Sequence, residues 1–147
     1  MSARDPFVDA LDDARIVAAI REAESRTRGE IRVHVVEDPV EDARVEGAAA
    51  FEALGMTATA ARNGVLLFVA PASRRFAVLG DVAIHERCGE AFWTAVADAM
   101  AAEFRAGRFT EGIVAGIAAV GSELARHFPR TPGDDDRNEL PDGVSRG

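Results

Sequence analysis

Three residues far apart in the chain, Glu30, Asn63 and Asp81, carry side chains that could hold a hard metal ion. Two carboxylates and an amide oxygen suit Ca²⁺ or Mg²⁺, with waters completing the shell. Glu86 and Glu90 follow Asp81 closely and could add two more oxygens. Arg62 adjoins Asn63, and Arg74 lies further along. A guanidinium matches phosphate geometry, and Arg62 is the better placed of the two. With a bound ion to polarise a phosphoryl oxygen and a carboxylate to position water, such a set would support phosphomonoester hydrolysis. No nucleophile with an adjacent base accompanies it. The competing role for these acids is ordinary: acids at strand ends cap turns, and Asp81 and Glu90 can each serve a helix N-terminus.

Other polar residues point to structural roles. His34, His85 and His127 lack metal-ligand spacing. His34 alternates with apolar neighbours in a strand, as a surface or half-buried residue would. His127 falls in the last turn of the final helix, where the dipole favours a cation. Cys88 has no arginine six residues on, where a cysteine phosphatase needs one; the residue there is Thr94. Its expected role is packing. Arg74-Arg75 reads as a charge pair at a hairpin tip. Phe92, Trp93 and Phe104 read as core. Asp134-x-Asp136-x-Asn138 matches the start of a calcium loop, but Glu139 replaces the turn glycine and Ser145 the bidentate glutamate, so an EF-hand is rejected.

Composition narrows the chemistry further. The 147 residues include seventeen cations, all of them arginine, against 25 acids, and there is no tyrosine. Without lysine there is no Schiff base and no phosphate-loop lysine. A net charge of −8 disfavours a nucleic-acid partner or an anionic membrane surface. One cysteine makes neither an internal disulfide nor a four-thiolate zinc site. The N-terminus lacks the apolar segment of a signal peptide. The longest apolar run, Val65 to Ala70, is far short of the ~20 residues a membrane helix needs. A cytoplasmic location is the expectation.

The elements that must position these groups can be read from periodicity. Ile16, Ala19, Ile20, Ala23 and Thr27 form one helix face between Asp12 and Thr27, with Asp12 as N-cap and Gly29 as the left-handed terminator. Glu30–Glu37 alternates as a strand. Val40–Leu54 reads as a second helix ended by Gly55. Gly64–Ala70 is apolar on both faces, as in a central strand. Pro71–Arg74 is too short for a crossover and must be a hairpin to an antiparallel strand, Arg75–Leu79. Phe92, Val96, Met100 and Phe104 mark a helix ended by Gly107. Thr110 is placed to cap the last helix, whose stripe is Ile113, Ile117, Val120, Leu124 and Phe128. Gly112, Gly116 and Gly121 in that helix point to another backbone packing closely.

The order is α-β-α-β-β-α-α, one α/β layered domain over residues 1–129, with 130–147 an acidic, Pro/Gly-rich exposed tail. The first two strands should be parallel with a right-handed crossover. The third then runs back, so Glu30, Asn63 and Asp81 share one end of the sheet.

An ordered set of short segments resembles the TPM domain family. Thr27-x-Gly29-Glu30-Ile31-x-Val33 resembles its opening. Leu54-Gly55-Met56-Thr57, Arg62-Asn63-Gly64-Val65-Leu66-Leu67 and Arg74-Arg75-Phe76-x-x-x-Gly80-Asp81 resemble its middle. Phe92-Trp93 and Phe104-x-x-Gly107-x-Phe109-x-x-Gly112-Ile113-x-x-Gly116-Ile117 resemble its helical part, and Asn138–Ser145 the ending of one prokaryotic subgroup. The resemblance implies a three-layer α/β/α fold with a small mixed sheet. It also implies divalent-cation binding, maintenance of membrane complexes and, for a plant relative, acid phosphatase activity. Many members carry a signal peptide and membrane anchor, and a Gly-Tyr-Gly loop after the third strand. Here that loop is Gly80-Asp81-Val82-Ala83-Ile84. The expectation is therefore a Ca²⁺- or Mg²⁺-binding interaction module with a protein partner and no organic cofactor, the alternative being a metal-assisted phosphomonoesterase.

Overall fold

A computed structural model of the chain describes residues 11–59, 62–130 and 144–146. Asp12 accepts the Arg15 N–H at 3.1 Å and starts α1 (Asp13–Glu24). β1 follows (Glu30–Val35), then α2 (Ala43–Ala53), capped by Asp42. Gly55, at φ +71°, turns the chain out of α2, a left-handed conformation that glycine adopts without steric cost. β2 (Gly64–Ala70) leads through one 3₁₀ turn (Pro71–Ser73) into β3 (Arg75–Gly80). Three helices come next: α3 (Val82–Cys88), α4 (Glu90–Arg105) and α5 (Phe109–His127). A short strand, β4 (Val144–Arg146), completes a sheet ordered β3-β2-β1-β4.

β1 and β2 are parallel, with Glu30 opposite Gly64, and β3 runs antiparallel to β2, with Gly80 opposite Val65. The sheet is mixed and its two faces are both covered. Ile31, Val33, Val35, Val65, Leu67 and Val69 pack against α1, α4 and α5 through Ile16, Ile20, Val96, Met100, Ile113, Ile117 and Leu124. Leu66, Phe68, Ala70 and Ala77 point the other way, against Phe51 of α2 and Met56. The period of two along β2 thus serves two cores, which is why that strand is apolar at every position. This is the expected three-layer α/β/α architecture.

Four local expectations are corrected. α3 was read as loop; Asp81 accepts the Val82 N–H at 2.8 Å and begins a helix there. Gly29 does not end a helix in a left-handed turn. α1 stops at Glu24, and a Cβ on Gly29 would meet Leu124 Cδ1 at 2.8 Å, so the residue is small for packing. Thr110 does not cap α5, which begins one residue earlier; its hydroxyl instead accepts the Asp12 N–H at 3.2 Å. Residues 144–146, assigned to an exposed tail, pair in parallel with Val33–Val35 of β1. The acidic run Asp134–Asp136 and the calcium-loop-like segment up to Asn138 lie outside the described residues. The glycines of α5 do mark close approach: a Cβ on Gly121 would sit 2.6 Å from Ala23 Cβ, and one on Gly116 2.6 Å from Met100 Sδ.

Candidate functional site

The register carries three of the five oxygen donors to one end of the sheet. The Glu30 N–H donates to the Asn63 carbonyl at 3.4 Å, and the Asp81 N–H to the Gly64 carbonyl at 3.0 Å. All three side chains are buried there, at 5 %, 3 % and 4 % exposure for Glu30, Asn63 and Asp81. Charged carboxylates are rarely buried so deeply without partners. Asp81 has them. Arg62 donates from Nε to its Oδ2 at 2.7 Å and from Nη2 to its Oδ1 at 2.8 Å, while Oδ1 also caps α3. This hydrogen bonding raises the Arg62 pKa above its ordinary value. Asn63 Nδ2 donates to the Arg28 carbonyl at 3.3 Å, and its own N–H donates to the Thr59 hydroxyl.

Glu86 and Glu90 are not drawn in. Glu86 is exposed on α3 and Glu90 is exposed at the start of α4. Among the described residues, the one group of three His, Cys, Asp or Glu side chains with ligand atoms within 4.8 Å of one another is Cys88, Glu123 and His127. The carboxylates of Glu30, Asp81, Glu86 and Glu90 therefore close into no such set. The three residues that share this end of the sheet all carry hard oxygen donors.

Two buried residues near this end were not singled out as functional from the sequence. Glu24 reaches across from α1, and its Oε2 accepts the Ile31 N–H at 2.8 Å. The Thr27 hydroxyl lies 3.0 Å from the Leu124 carbonyl and 2.5 Å from that of Phe128. The available signal for Glu24 was its position on the buried face of α1, four residues beyond Ile20; Thr27 lies past the helix end and continues the same spacing from Ala23.

At the opposite end, Arg74, Arg75 and Arg105 line a cleft of about 440 Å³ with Pro71, Phe104 and Phe109. The pair Arg74-Arg75 is at a hairpin tip as expected, with Arg74 at φ +51° and Arg75 Nη1 donating to the Glu41 carbonyl. His34 is more deeply buried than the surface or half-buried position expected, at 9 % exposure. Its ring stacks on Phe68, 5.9 Å between centroids, and Nδ1 lies 2.9 Å from Ser145 Oγ of β4. Phe92 is in the core, with Trp93 and Phe104 packed against it. Cys88 is half-buried. Burial pushes its thiol pKa up, and the nearby Glu123 carboxylate adds to that. No helix among the described residues is long and apolar enough to cross a membrane.

Comparison with known proteins agrees with this architecture. The solution structure of the BA42 protein from the psychrophilic bacterium Bizionia argentinensis superposes with a TM-score of 0.85 at 37% identity, covering 94% of this chain and 96% of that one. The N-terminal domain of a P. gingivalis protein shares the fold at 22% identity, with a TM-score of 0.56 over 80% of this chain and 78% of that one. Among curated proteins, none matches the chain. The sequence model of the TPM domain matches residues 5–123, which span the helix–strand units holding Glu30, Asn63 and Asp81. With that match over most of its length, and a closely superposing structure over nearly all of it, the chain belongs to the TPM domain family.

Proposed function

We propose that this protein is a divalent-cation-binding interaction module whose site is the sheet end formed by Glu30, Asn63 and Asp81. The observation that carries this reading is the burial of two carboxylates and an amide at one sheet end, where two parallel strands start and a third finishes. These hard oxygens fit Ca²⁺ or Mg²⁺. Arg62 acts as the resident counter-charge. Its side chain is 46% exposed, so it can swing into water and release the Asp81 oxygens to an incoming ion. The cation would then control the loop before β2 and the start of α3, both of which hang on Asp81. The partner this reading calls for is another protein, in keeping with the membrane-complex role that the family resemblance implies.

Calorimetric titration with Ca²⁺ and Mg²⁺ tests the site through two variants of opposite sign. Asp81→Ala should abolish the binding heat. Arg62→Ala should strengthen binding, because the competing cation is gone. Equal heats in wild type and both variants would place any cation elsewhere. The phosphomonoesterase reading uses Arg62 as a phosphate clamp, which would require Nε and Nη2 to leave Asp81. Turnover of p-nitrophenyl phosphate that persists unchanged in Asp81→Ala and Glu30→Ala would come from a contaminant. Turnover lost in both would favour the enzyme.

A further inference from the structure

The geometry points to a second metal site, of a different chemical class, at the C-terminal ends of α3 and α5: we propose that Cys88, Glu123 and His127 bind one zinc-type transition-metal ion. Glu123 and His127 are four residues apart and so lie one turn above each other on one face of α5. His127 Nε2 stands 3.2 Å from Glu123 Oε1. Two such ligands bound tetrahedrally at zinc distances would stand about 3.3 Å apart, so this pair is already set. Cys88 closes the triangle from a separate helix, with all three ligand atoms within 4.8 Å of one another. A sulfur and a ring nitrogen at about 2.3 and 2.0 Å from one ion stand roughly 3.5 Å apart, so closing the site asks for little more than an ångström at most. All three side chains are half-buried, reachable by an ion yet partly screened from bulk water.

The electrostatics favour a cation at this point. Cys88 is the last residue of α3 and His127 the last of α5, so two helix C-termini present the negative ends of their dipoles to the same place. Two arginines stand nearby. Arg87 donates to the His127 carbonyl at 3.2 Å and lies over the Phe128 ring, and Arg126 Nη1 approaches Glu123 Oε1 at 3.8 Å. Arg87 uses the backbone and leaves the ligand atoms clear. Arg126 is 74% exposed and can withdraw. A thiolate, an imidazole and one carboxylate form a borderline-soft set that selects Zn²⁺ over Ca²⁺ or Mg²⁺. Three protein ligands leave the fourth tetrahedral position to water.

Cobalt substitution gives a direct reading, because the chain contains a single cysteine. The full chain, dialysed against chelator, is titrated with Co²⁺ and followed by absorbance. One equivalent should produce the intense visible bands of tetrahedral Co²⁺ and a near-ultraviolet thiolate-to-cobalt charge-transfer band. Zn²⁺ should bleach both, and excess Ca²⁺ neither. Cys88→Ser should remove the charge-transfer band, and Cys88→Ser and His127→Gln should each weaken binding by about tenfold or more. Glu123→Gln, on the half-exposed face of α5, checks the same loss in a variant whose fold is read by circular dichroism. A weak six-coordinate spectrum without the charge-transfer band would overturn the proposal. So would an unchanged affinity in folded Cys88→Ser, or one ion per two chains.

Discussion

At His34, burial and charge act in the same direction. Removal from water lowers the imidazole pKa below its ordinary 6.5, and the neighbouring Arg32 charge lowers it further. Asp38 and Glu46 line the hollow beside it, with Ser145 on its other flank. Above pH 6.5 the ring is neutral in folded and unfolded chains alike, and its contribution to stability is fully present. As pH falls below that value, the unfolded chain takes up the proton first. Stability is then lost progressively until the lower, folded-state pKa is passed. Denaturation midpoints measured between pH 7.5 and 5 should fall more steeply in wild type than in His34→Gln. Parallel curves would show that the ring is not held neutral. The depth of His34 was hidden in the sequence for a simple reason. Its strand alternates correctly, but Phe68 of β2 and Ser145 of β4 flank the ring, contacts between strands that the local pattern does not report.

At the scale of elements, α5 was the most legible part of the chain and α3 the least. The stripe Ile113-Ile117-Val120-Leu124 is long, regular and wholly buried, and periodicity reads such segments well. α3 has seven residues, and Ile84 is the one it fully buries. Its existence depends on the Asp81 cap and on packing against the larger core, which no local pattern reports. Two substitutions test the α5 reading. Ile117→Ala should cost about 2–5 kcal/mol in chemical denaturation, as a cavity in a sealed core does. Gly121→Ala would gain about 1 kcal/mol of helix propensity on an open surface. Here the added methyl meets Ala23 of α1 at 2.6 Å, a small residue tied directly to its backbone, so α1 and α5 must part. A net loss of about 1–3 kcal/mol is expected. A gain in stability for Gly121→Ala would mean the two helices are looser than described.

Over the whole molecule, strand direction was enough to bring Glu30, Asn63 and Asp81 together, because a parallel pair followed by a hairpin returns to one end of the sheet. Helix packing was not legible, and with it went Glu86 and Glu90, which α3 and α4 carry away, and the Cys88–Glu123–His127 group, assembled from two helices that are not consecutive in the chain. The short β4 was equally hidden, since three residues after an acidic run carry no strand pattern of their own. Yet its position matters for how copies of the protein treat one another. β1 is fully buried at Val33 and Val35, and among the described residues β4 is what pairs with its outer hydrogen-bonding row there. A chain cut after Arg130 keeps the helices that build the main core but bares that row. An apolar strand with open N–H and C=O groups is a template for another strand. Such a truncation should self-associate as concentration rises, seen as growing light scattering, while its far-ultraviolet dichroism stays near that of the full chain. A monodisperse truncation would show that the outer row of β1 is guarded by something other than β4. On this reading, three residues keep a buried hydrophobic strand from becoming adhesive.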